Sequence, residues 1–321
     1  MINTRNEKVW LIGASPIAID YAKILIDLNI EFVVITRGEE KAKQFMEATG
    51  HSVVAGGIVQ YLQSCPSLPS HAVITVGVEQ LSQVTDELLQ YGVRKILVEK
   101  PGGMNFLALE KTFLLAEDRQ ARVFIAYNRR FYSSTLKAQQ IIKEDGGVKS
   151  FYFEFTEWSH VINKLEKPEK VKKMWFLANS THVVDLAFYL GGEPEKMSSY
   201  SADSVEWHTP AIFSGAGKSK EGALFSYCAN WKSPGRWGVE ILTNKHRLIF
   251  RPMEKLQVQN IGSVNTEFVE IDDSLDVKYK PGLYLQLLEF LSNNTPNLCA
   301  LSEQIKHWRK IYIPMLGGGM K

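Results

Sequence analysis

Short apolar runs alternate with amphipathic stretches over the first 126 residues. The apolar runs have the length of strands and lie at 9–12, 32–35, 72–76, 95–98 and 123–126. Between them, apolar residues recur with helical spacing over 17–25, 39–48, 80–91 and 105–117. Near-continuous apolar strands that alternate with helices are typical of a parallel sheet covered on both faces. Residues 1–126 are therefore predicted to form an α/β domain built on a doubly wound parallel sheet.

The pattern changes after residue 126. A predicted helix over 134–143 is followed by strand-like segments with no helical pattern between most of them: 151–156, 196–202, 223–229, 238–242, 247–251, 256–259 and 267–271. Asn244 marks a hairpin turn within this series. The end of the chain has helical spacing over 282–293 and 302–313. Residues 127–321 are therefore predicted to form a second, α+β domain with a large, mostly antiparallel open sheet.

The turn after the first strand resembles a dinucleotide-binding loop. Such loops usually read G-x-G-x-x-G/A, and this one reads Gly13-x-Ser15-x-x-Ala18. Serine in the middle position is small and can offer a hydroxyl to a phosphate. We expect the pyrophosphate to lie at the helix N-terminus. The predicted contacts are Gly13, Ala14, Ser15, Pro16 and Ile17. An ordinary strand–helix turn is the alternative.

The tip of the second strand bears on the choice of cofactor. NAD-binding proteins usually place a carboxylate there, whereas an arginine favours the 2′-phosphate of NADP. This chain has Thr36-Arg37-Gly38, and both Thr36 and Arg37 are predicted to contact the cofactor. A guanidinium grips a phosphate through two hydrogen bonds, so NADP(H) is preferred over NAD(H). In the alternative interpretation Arg37 is solvated and Glu39 binds the ribose.

The fifth strand ends in Glu99-Lys100-Pro101. Ligands of open parallel sheets bind outside the carboxyl ends of the strands, so Lys100 is expected beside cofactor or substrate. A partly desolvated lysine has a lowered pKa and moves protons readily. A solvated lysine at the start of a loop is the alternative. Other residues at strand ends complete the predicted cofactor contacts: Val76, Gly77, Glu99 and Asn128.

The stretch Trp175–Gly192 has a polar start and an apolar body, which predicts a helix capped by Ser180 or Thr181. His182 would lie in the first turn, where the helix dipole favours its neutral, proton-accepting form. Asp185 is three residues further on and shares its face. A capped helix whose histidine only packs against the sheet is the alternative.

Composition limits the function classes. The chain has 321 residues, 45% of them hydrophobic, and a net charge of +2, which argues against nucleic acid as a partner. Cys65, Cys228 and Cys299 have no metal-ligand spacing, so no metal is predicted, and they suit a reducing cytoplasm. The sequence shows no signal peptide and no apolar run that would span a membrane. We therefore expect a cytoplasmic protein with a small-molecule substrate.

Taken together, the motifs resemble one family. The Rossmann start, Glu99-Lys100-Pro101, the segment Tyr127–Phe131 and Thr181–Asp185 occur in the order and spacing of the glucose-fructose oxidoreductase/inositol dehydrogenase/MocA family. The resemblance covers essentially the whole chain and implies that residues 1–126 are a Rossmann domain that binds a dinucleotide. It implies NAD(P)-dependent oxidation or reduction at a carbinol or ketone carbon of a sugar, inositol or nucleotide-sugar. It also implies a homodimer or homotetramer formed through the sheet of the second domain.

The resemblance also implies residue roles. Lys100 and His182 match the residues that contact the reacting oxygen and handle its proton, and Asp185 matches a structural aspartate. The predicted substrate contacts are Trp158, Trp175, Asn179, Thr181 and His182. The family often has an aspartate four residues before the histidine, and Ala178 replaces it here. This departure leaves two other functions open: a sugar-sensing protein that has lost catalysis, and a non-redox sugar enzyme that recycles its cofactor.

Overall fold

The structure, a computed structural model, describes residues 8–318. Residues 8–126 fold as alternating strands and helices. The strands are β1 Lys8–Ile12, β2 Glu31–Ile35, β3 Val53–Val54, β4 His71–Ile74, β5 Lys95–Glu99 and β6 Arg122–Ala126. The helices are α1 Pro16–Asp27, α2 Glu39–Thr49, α3 Gly57–Gln63, α4 Leu81–Tyr91 and α5 Phe106–Asp118.

Strands dominate the remainder of the chain. They are β7 Ser150–Glu154, β8 Pro194–Ala202, β9 Ile212–Ser219, β10 Leu224–Asn230, β11 Gly238–Leu242, β12 His246–Phe250, β13 Gln257–Asn260, β14 Glu267–Phe268 and β15 Cys299–Ala300. The helices are α6 Ser133–Glu144, α7 Ser159–Ile162, α8 Glu169–Lys172, α9 Thr181–Gly191, α10 Ser274–Lys278, α11 Leu283–Leu291, α12 Leu301–His307 and α13 Ile313–Met315. Two π-helical segments, Phe176–Ser180 and Trp308–Tyr312, precede α9 and α13.

Two sheets organise the fold. The first has the order β15-β6-β5-β4-β1-β2-β3, and its six strands β1–β6 are parallel. The order 3-2-1-4-5-6 is that of a Rossmann sheet. The second sheet has the order β14-β13-β12-β11-β7-β10-β9-β8, and all its pairs except β7–β10 are antiparallel. The predicted fold class is confirmed.

The chain divides into two compact units, and each consists of two chain segments. The first unit contains residues 1–128 and 278–305, and the second contains 129–277 and 306–321. The sequence predicted a single cut after residue 126. The difference arises because β15 pairs with β6 and α11 packs on α1, so residues 278–305 return to the first unit.

A helix covers the inner face of the second sheet. α9 packs against β7 and β11, and Phe188 meets the rings of Phe151 and Phe153 edge-on. A methyl group built on Gly191 would lie 2.4 Å from the Phe151 ring, so glycine permits this close approach. The predicted hairpin at Asn244 is confirmed, because β11 and β12 are antiparallel neighbours.

Several elements were not predicted from the sequence. β3, α3, β9 and β15 were not predicted, and the strand predicted over 267–271 is confined to Glu267–Phe268. β9 reads Ile-Phe-Ser-Gly-Ala-Gly-Lys-Ser, and its two glycines weaken the strand pattern. Among residues 8–318, no helix combines the length and the apolar character that a membrane crossing requires.

Candidate active site

A cleft of about 600 Å³ opens in the first unit beyond the carboxyl ends of β1, β2 and β4. This is the position at which ligands of doubly wound sheets bind. Seven of the predicted cofactor residues line it: Gly13, Ala14, Ser15, Thr36, Arg37, Val76 and Gly77. Pro16, Ile17, Glu99, Lys100 and Asn128 are not among the lining residues.

The loop after β1 is held tightly against β4. Gly13 has φ +114°, and a methyl group there would lie 2.7 Å from Thr75 Oγ1. Ser15 Oγ donates to the Thr75 carbonyl at 2.9 Å, so this hydroxyl secures the loop. Ser15 makes no side-chain cap on α1, and Pro16 occupies the first helical position. The first turn of α1 therefore presents its backbone amides at the loop.

Arg37 borders the cleft beside a pair of glycines that sequence analysis missed. Gly56 and Gly57 both have positive φ, and a methyl group on Gly57 would lie 2.8 Å from Arg37 Cγ. The Gly57 amide donates to the Thr36 carbonyl at 2.9 Å. The double glycine in the sequence was the available signal. Of the nearby carboxylates, Glu40 lines the cleft, whereas Glu39 of the alternative interpretation does not.

Buried polar side chains hold the turn that carries Lys100. Gln304 Nε2 donates to the Pro101 carbonyl at 2.9 Å and to Tyr127 Oη at 3.1 Å. Tyr21 Oη approaches Glu99 Oε1 at 3.4 Å. Burial raises the pKa of the Glu99 carboxyl to about 7, although the positive charges of Lys100 and Lys280 oppose that rise. Lys100 itself follows β5 and is partly exposed.

Asn128 is buried and contributes to the same part of the first unit. Its Nδ2 donates to the Pro281 carbonyl at 2.9 Å. With its amide correctly oriented, Gln286 accepts from the backbone amides of Tyr127 and Asn128 and donates to Tyr21. Gln286 and Gln304 were not predicted, because they are distant in sequence and polar within otherwise ordinary helices.

In the second unit, His182 lies within a continuous helical run. The π-helical segment Phe176–Ser180 leads directly into α9, so the predicted cap at Ser180 or Thr181 is wrong. Thr181 Oγ1 instead donates to the Leu177 carbonyl at 2.9 Å, and its side chain is fully buried. The His182 ring is partly exposed and lies 6.5 Å from the ring of Trp237.

A buried carboxylate that sequence analysis missed lies beside this helix. Glu157 is 2% exposed and accepts hydrogen bonds from Ser180 Oγ at 2.7 Å and Asn179 Nδ2 at 3.0 Å. Burial raises the pKa of the Glu157 carboxyl, while these hydrogen bonds and the Arg236 charge oppose that rise. Ala178 therefore does not leave this helix without a carboxylate partner.

The predicted tryptophans have different surroundings. Trp158 is 46% exposed, and its Nε1 donates to the Gly235 carbonyl at 2.9 Å. Trp175 is buried and meets Trp207 edge-on, with 6.1 Å between ring centroids. Of the two, Trp158 offers the larger surface to a ligand.

Asp185 has a structural partner. Arg130 donates to both carboxylate oxygens, at 2.8 Å from Nε and 2.5 Å from Nη2, and both side chains are buried. The Arg130 guanidinium also packs 4.6 Å from the Tyr189 ring centroid. This bidentate pair ties α9 to the segment after β6.

Comparisons with known proteins show which molecules share this architecture. No family model matches the chain, and no curated protein matches it in sequence. A proposed NADPH-dependent oxidoreductase from Desulfitobacterium hafniense matches 98% of this chain and 96% of its own, with a TM-score of 0.79 and 14% identity. Levoglucosan dehydrogenase in complex with NADH and L-sorbose matches 98% and 96%, with a TM-score of 0.77 and 15% identity.

A third solved structure has a similar fold. The WlbA dehydrogenase from Chromobacterium violaceum, in complex with NADH and UDP-GlcNAcA, matches 99% of this chain and 96% of its own. Its TM-score is 0.74 and its identity 16%. At these identities the likeness shows the fold. The chain is thus similar in fold, over nearly its whole length, to NAD(P)-dependent oxidoreductases.

Proposed function

We propose that the protein is an NAD(P)(H)-dependent oxidoreductase that acts on a carbinol or ketone carbon of a sugar or nucleotide-sugar. The main support for this proposal is the cleft at the carboxyl ends of β1, β2 and β4. The Gly13–Ser15 loop and Arg37 line this cleft. The sugar and nucleotide-sugar bound in complexes of two structural neighbours, L-sorbose and UDP-GlcNAcA, support the substrate class.

The residues of the first unit fit a dinucleotide. The bare backbone at Gly13 lets the loop pack closely against Thr75, and α1 begins without a side-chain cap. Amides of the first turn would bind the pyrophosphate, and Val76 and Gly77 would border the cofactor across the cleft. When bound, the nicotinamide supplies the hydride acceptor or donor.

Lys100 and His182 are proposed to handle the proton of the reacting hydroxyl. During oxidation one of them takes this proton as hydride leaves the same carbon, and during reduction it returns the proton. Lys100→Ala and His182→Ala should each lower turnover by about a hundredfold or more, with little change in cofactor affinity. Near-normal turnover of either variant would remove that residue from the mechanism.

Turnover with a panel of sugars and nucleotide-sugars tests the function itself. Accumulation of reduced nicotinamide, followed by its near-ultraviolet absorbance, is the expected result with at least one substrate. Sugar conversion without net cofactor reduction would instead indicate a recycling enzyme. Sugar binding without conversion would indicate a sensor.

Arg37 is proposed to give a preference for NADP(H). Its guanidinium borders the cleft at the tip of β2, where a 2′-phosphate lies in NADP-binding Rossmann domains. Arg37→Gln should weaken NADPH binding by roughly tenfold to a hundredfold and leave NADH binding nearly unchanged. Arg94→Gln, at an exposed arginine of the same unit, is the control. Tighter binding of NADH than NADPH by the unmodified protein would contradict this assignment.

The outer face of the second sheet is proposed as the interface of a homodimer or homotetramer. Its inner face is covered by α9, whereas Tyr200 and Leu224 are 74% and 62% exposed. Light scattering should give a mass above that of one chain, and Tyr200→Glu should lower it. A monomeric unmodified protein would refute the proposal.

A further inference from the structure

Arg129 is a partly buried cation whose guanidinium, among residues 8–318, forms no salt bridge with a carboxylate. Its guanidinium carbon lies 4.9 Å from the ring centroid of Trp237 and 5.7 Å from that of Tyr132. Its Nε is buried and makes no hydrogen bond. Within residues 8–318, no carboxylate oxygen lies within 4 Å of the guanidinium. The next residue contrasts with it, because Arg130 forms a bidentate pair with Asp185.

Burying part of a guanidinium without a hydrogen-bonded counter-ion is costly. The ion loses hydration, and the faces of aromatic rings recover only part of that loss. Burial lowers the pKa of Arg129, and the like charge of Arg236 acts in the same direction, whereas Tyr132, Glu254 and Glu157 oppose the shift. An oxyanion bound to Nε and its neighbouring N–H group would offset this cost.

Arg236 provides a second cation in the same cluster. Its guanidinium carbon lies 4.8 Å from the Trp237 ring centroid and 4.6 Å from that of Trp158. Its side chain is 47% exposed, and the nearest carboxylate oxygen, of Glu157, is 3.8 Å from Nη1. Glu157 already accepts from Asn179 and Ser180. Of the carboxylates in residues 8–318, only that of Glu157 has an oxygen within 4 Å of either guanidinium, and it already has two other donors.

The cluster adjoins the histidine of the proposed mechanism. Trp237 contacts Arg129 and Arg236 and lies 6.5 Å from the His182 ring. The exposed ring of Trp158 adds an apolar surface of the kind on which sugar rings pack. Two guanidinium groups, an aromatic surface and a histidine ring thus lie close together within the second unit.

We propose that Arg129, with Arg236 beside it, binds an oxyanion carried by the substrate. The substrate class is then an anionic sugar, one that bears a carboxylate or a phosphate, and not a neutral sugar or inositol. This inference rests on the proposed function and specifies its substrate. A planar guanidinium presents two parallel N–H donors to either oxyanion, which is the geometry that lysine lacks.

Calorimetric titration of the full chain tests the inference. The probes are glucuronate for the carboxylate, UDP-glucose for the phosphate and glucose as the neutral counterpart, all at one ionic strength. At least one anionic probe should bind roughly tenfold or more tightly than glucose. The anionic probe that binds more tightly identifies which oxyanion the site prefers.

Substitutions of single arginines test which side chains bind the oxyanion. Arg129→Gln should abolish the preference for the anionic probe and leave glucose binding unchanged, and Arg129→Lys should restore it only in part. Arg236→Gln, at a half-exposed residue, gives a second variant that is less prone to affect folding. Arg247→Gln is the control, because Arg247 pairs with Glu240 on the second sheet and lies outside the cluster.

The outcomes separate this inference from the proposed function. Equal binding of glucose and the anionic probes, absence of binding by both anionic probes, or an unchanged preference in both Arg129→Gln and Arg236→Gln would overturn it. If the protein oxidises neutral sugars and Arg129→Gln does not change this activity, the anionic-substrate inference is refuted and the proposed oxidoreductase function stands. If an anionic sugar binds in an Arg129-dependent way but no cofactor is reduced, the inference stands and the proposed function is refuted.

Discussion

Glu157 is a single buried carboxylate with two hydrogen-bond donors directed at it. Glu157→Ala leaves Ser180 Oγ and Asn179 Nδ2 without their acceptor, whereas Glu157→Gln retains one. Because an unsatisfied buried donor costs about 1–3 kcal/mol, the alanine variant should be less stable than the glutamine variant by about 2 kcal/mol. Urea unfolding at neutral pH measures the difference. Equal stabilities would show that these hydrogen bonds contribute little.

Glu99 makes stability depend on pH. Its folded-state pKa of about 7 lies above the ordinary value for glutamate, so the folded state holds this proton more tightly than the unfolded chain does. This contribution is complete below the unfolded pKa and is lost as pH rises through about 7.

Glu99→Gln should remove that dependence. Between about pH 4 and pH 8, the wild type should lose on the order of 1–3 kcal/mol of unfolding free energy relative to the variant. Denaturant unfolding across this range provides the measurement. Glu117→Gln, at an exposed position of α5, is the control. Parallel curves for the wild type and Glu99→Gln would contradict the assignment.

The sequence predicted the site residues that follow strand ends. It mostly did not predict the buried side chains that form hydrogen bonds with the site. The tip residues Gly13, Arg37 and Lys100 follow from the apolar strand pattern alone. Glu157 had a signal that was missed, since Phe151, Phe153 and Phe155 point inward and the same alternation directs residue 157 inward. Gln286 and Gln304 had none, because their partners lie more than 150 residues away.

At the scale of elements, β9 depends on glycines that accommodate aromatic neighbours. Gly215 pairs with Tyr227 and Gly217 with Phe225 across β9 and β10. A methyl group on Gly215 would lie 2.4 Å from the Tyr227 ring, so the ring lies over the bare backbone. Sequence patterns miss such a strand, because its stability comes from the partner strand and not from its own side chains.

Gly215→Val should therefore overpack this pair. We expect a loss of about 1–3 kcal/mol in the free energy of unfolding. Ala216→Val is the matched control, because Ala216 is the next residue along the strand and is exposed on the opposite face. Chemical denaturation compares them. The prediction fails if both variants lose the same stability.

At the scale of the whole molecule, the first unit needs a segment from late in the chain. Phe290 of α11 is fully buried, and its ring meets His71 edge-on at 5.2 Å and Phe124 at 6.2 Å. The hydrophobic pattern predicted α11 as a helix but not its return to the Rossmann sheet. Helical spacing identifies an apolar face and not the surface on which that face packs.

Phe290→Ala should destabilise the first unit by about 3–5 kcal/mol, because it opens a cavity among these rings. Hydrogen exchange should show the loss of protection in β4 and β6. Phe268→Ala, at a ring that is 64% exposed, should leave exchange unchanged. Undiminished protection of β4 and β6 in the Phe290 variant would mean that α11 is dispensable.

The return of residues 278–305 also has a consequence for protein synthesis. Roughly 150 residues separate Asn128 from this segment. At translation rates of about 5–20 residues per second, the ribosome would emit the first six strands roughly 10–30 s before their last strand and covering helix. During that interval the surface later covered by α11 and the open edge of β6 are exposed on the nascent chain, which is the state that chaperones recognise. Completion of the Rossmann unit is therefore coupled to the synthesis of nearly all of the second unit.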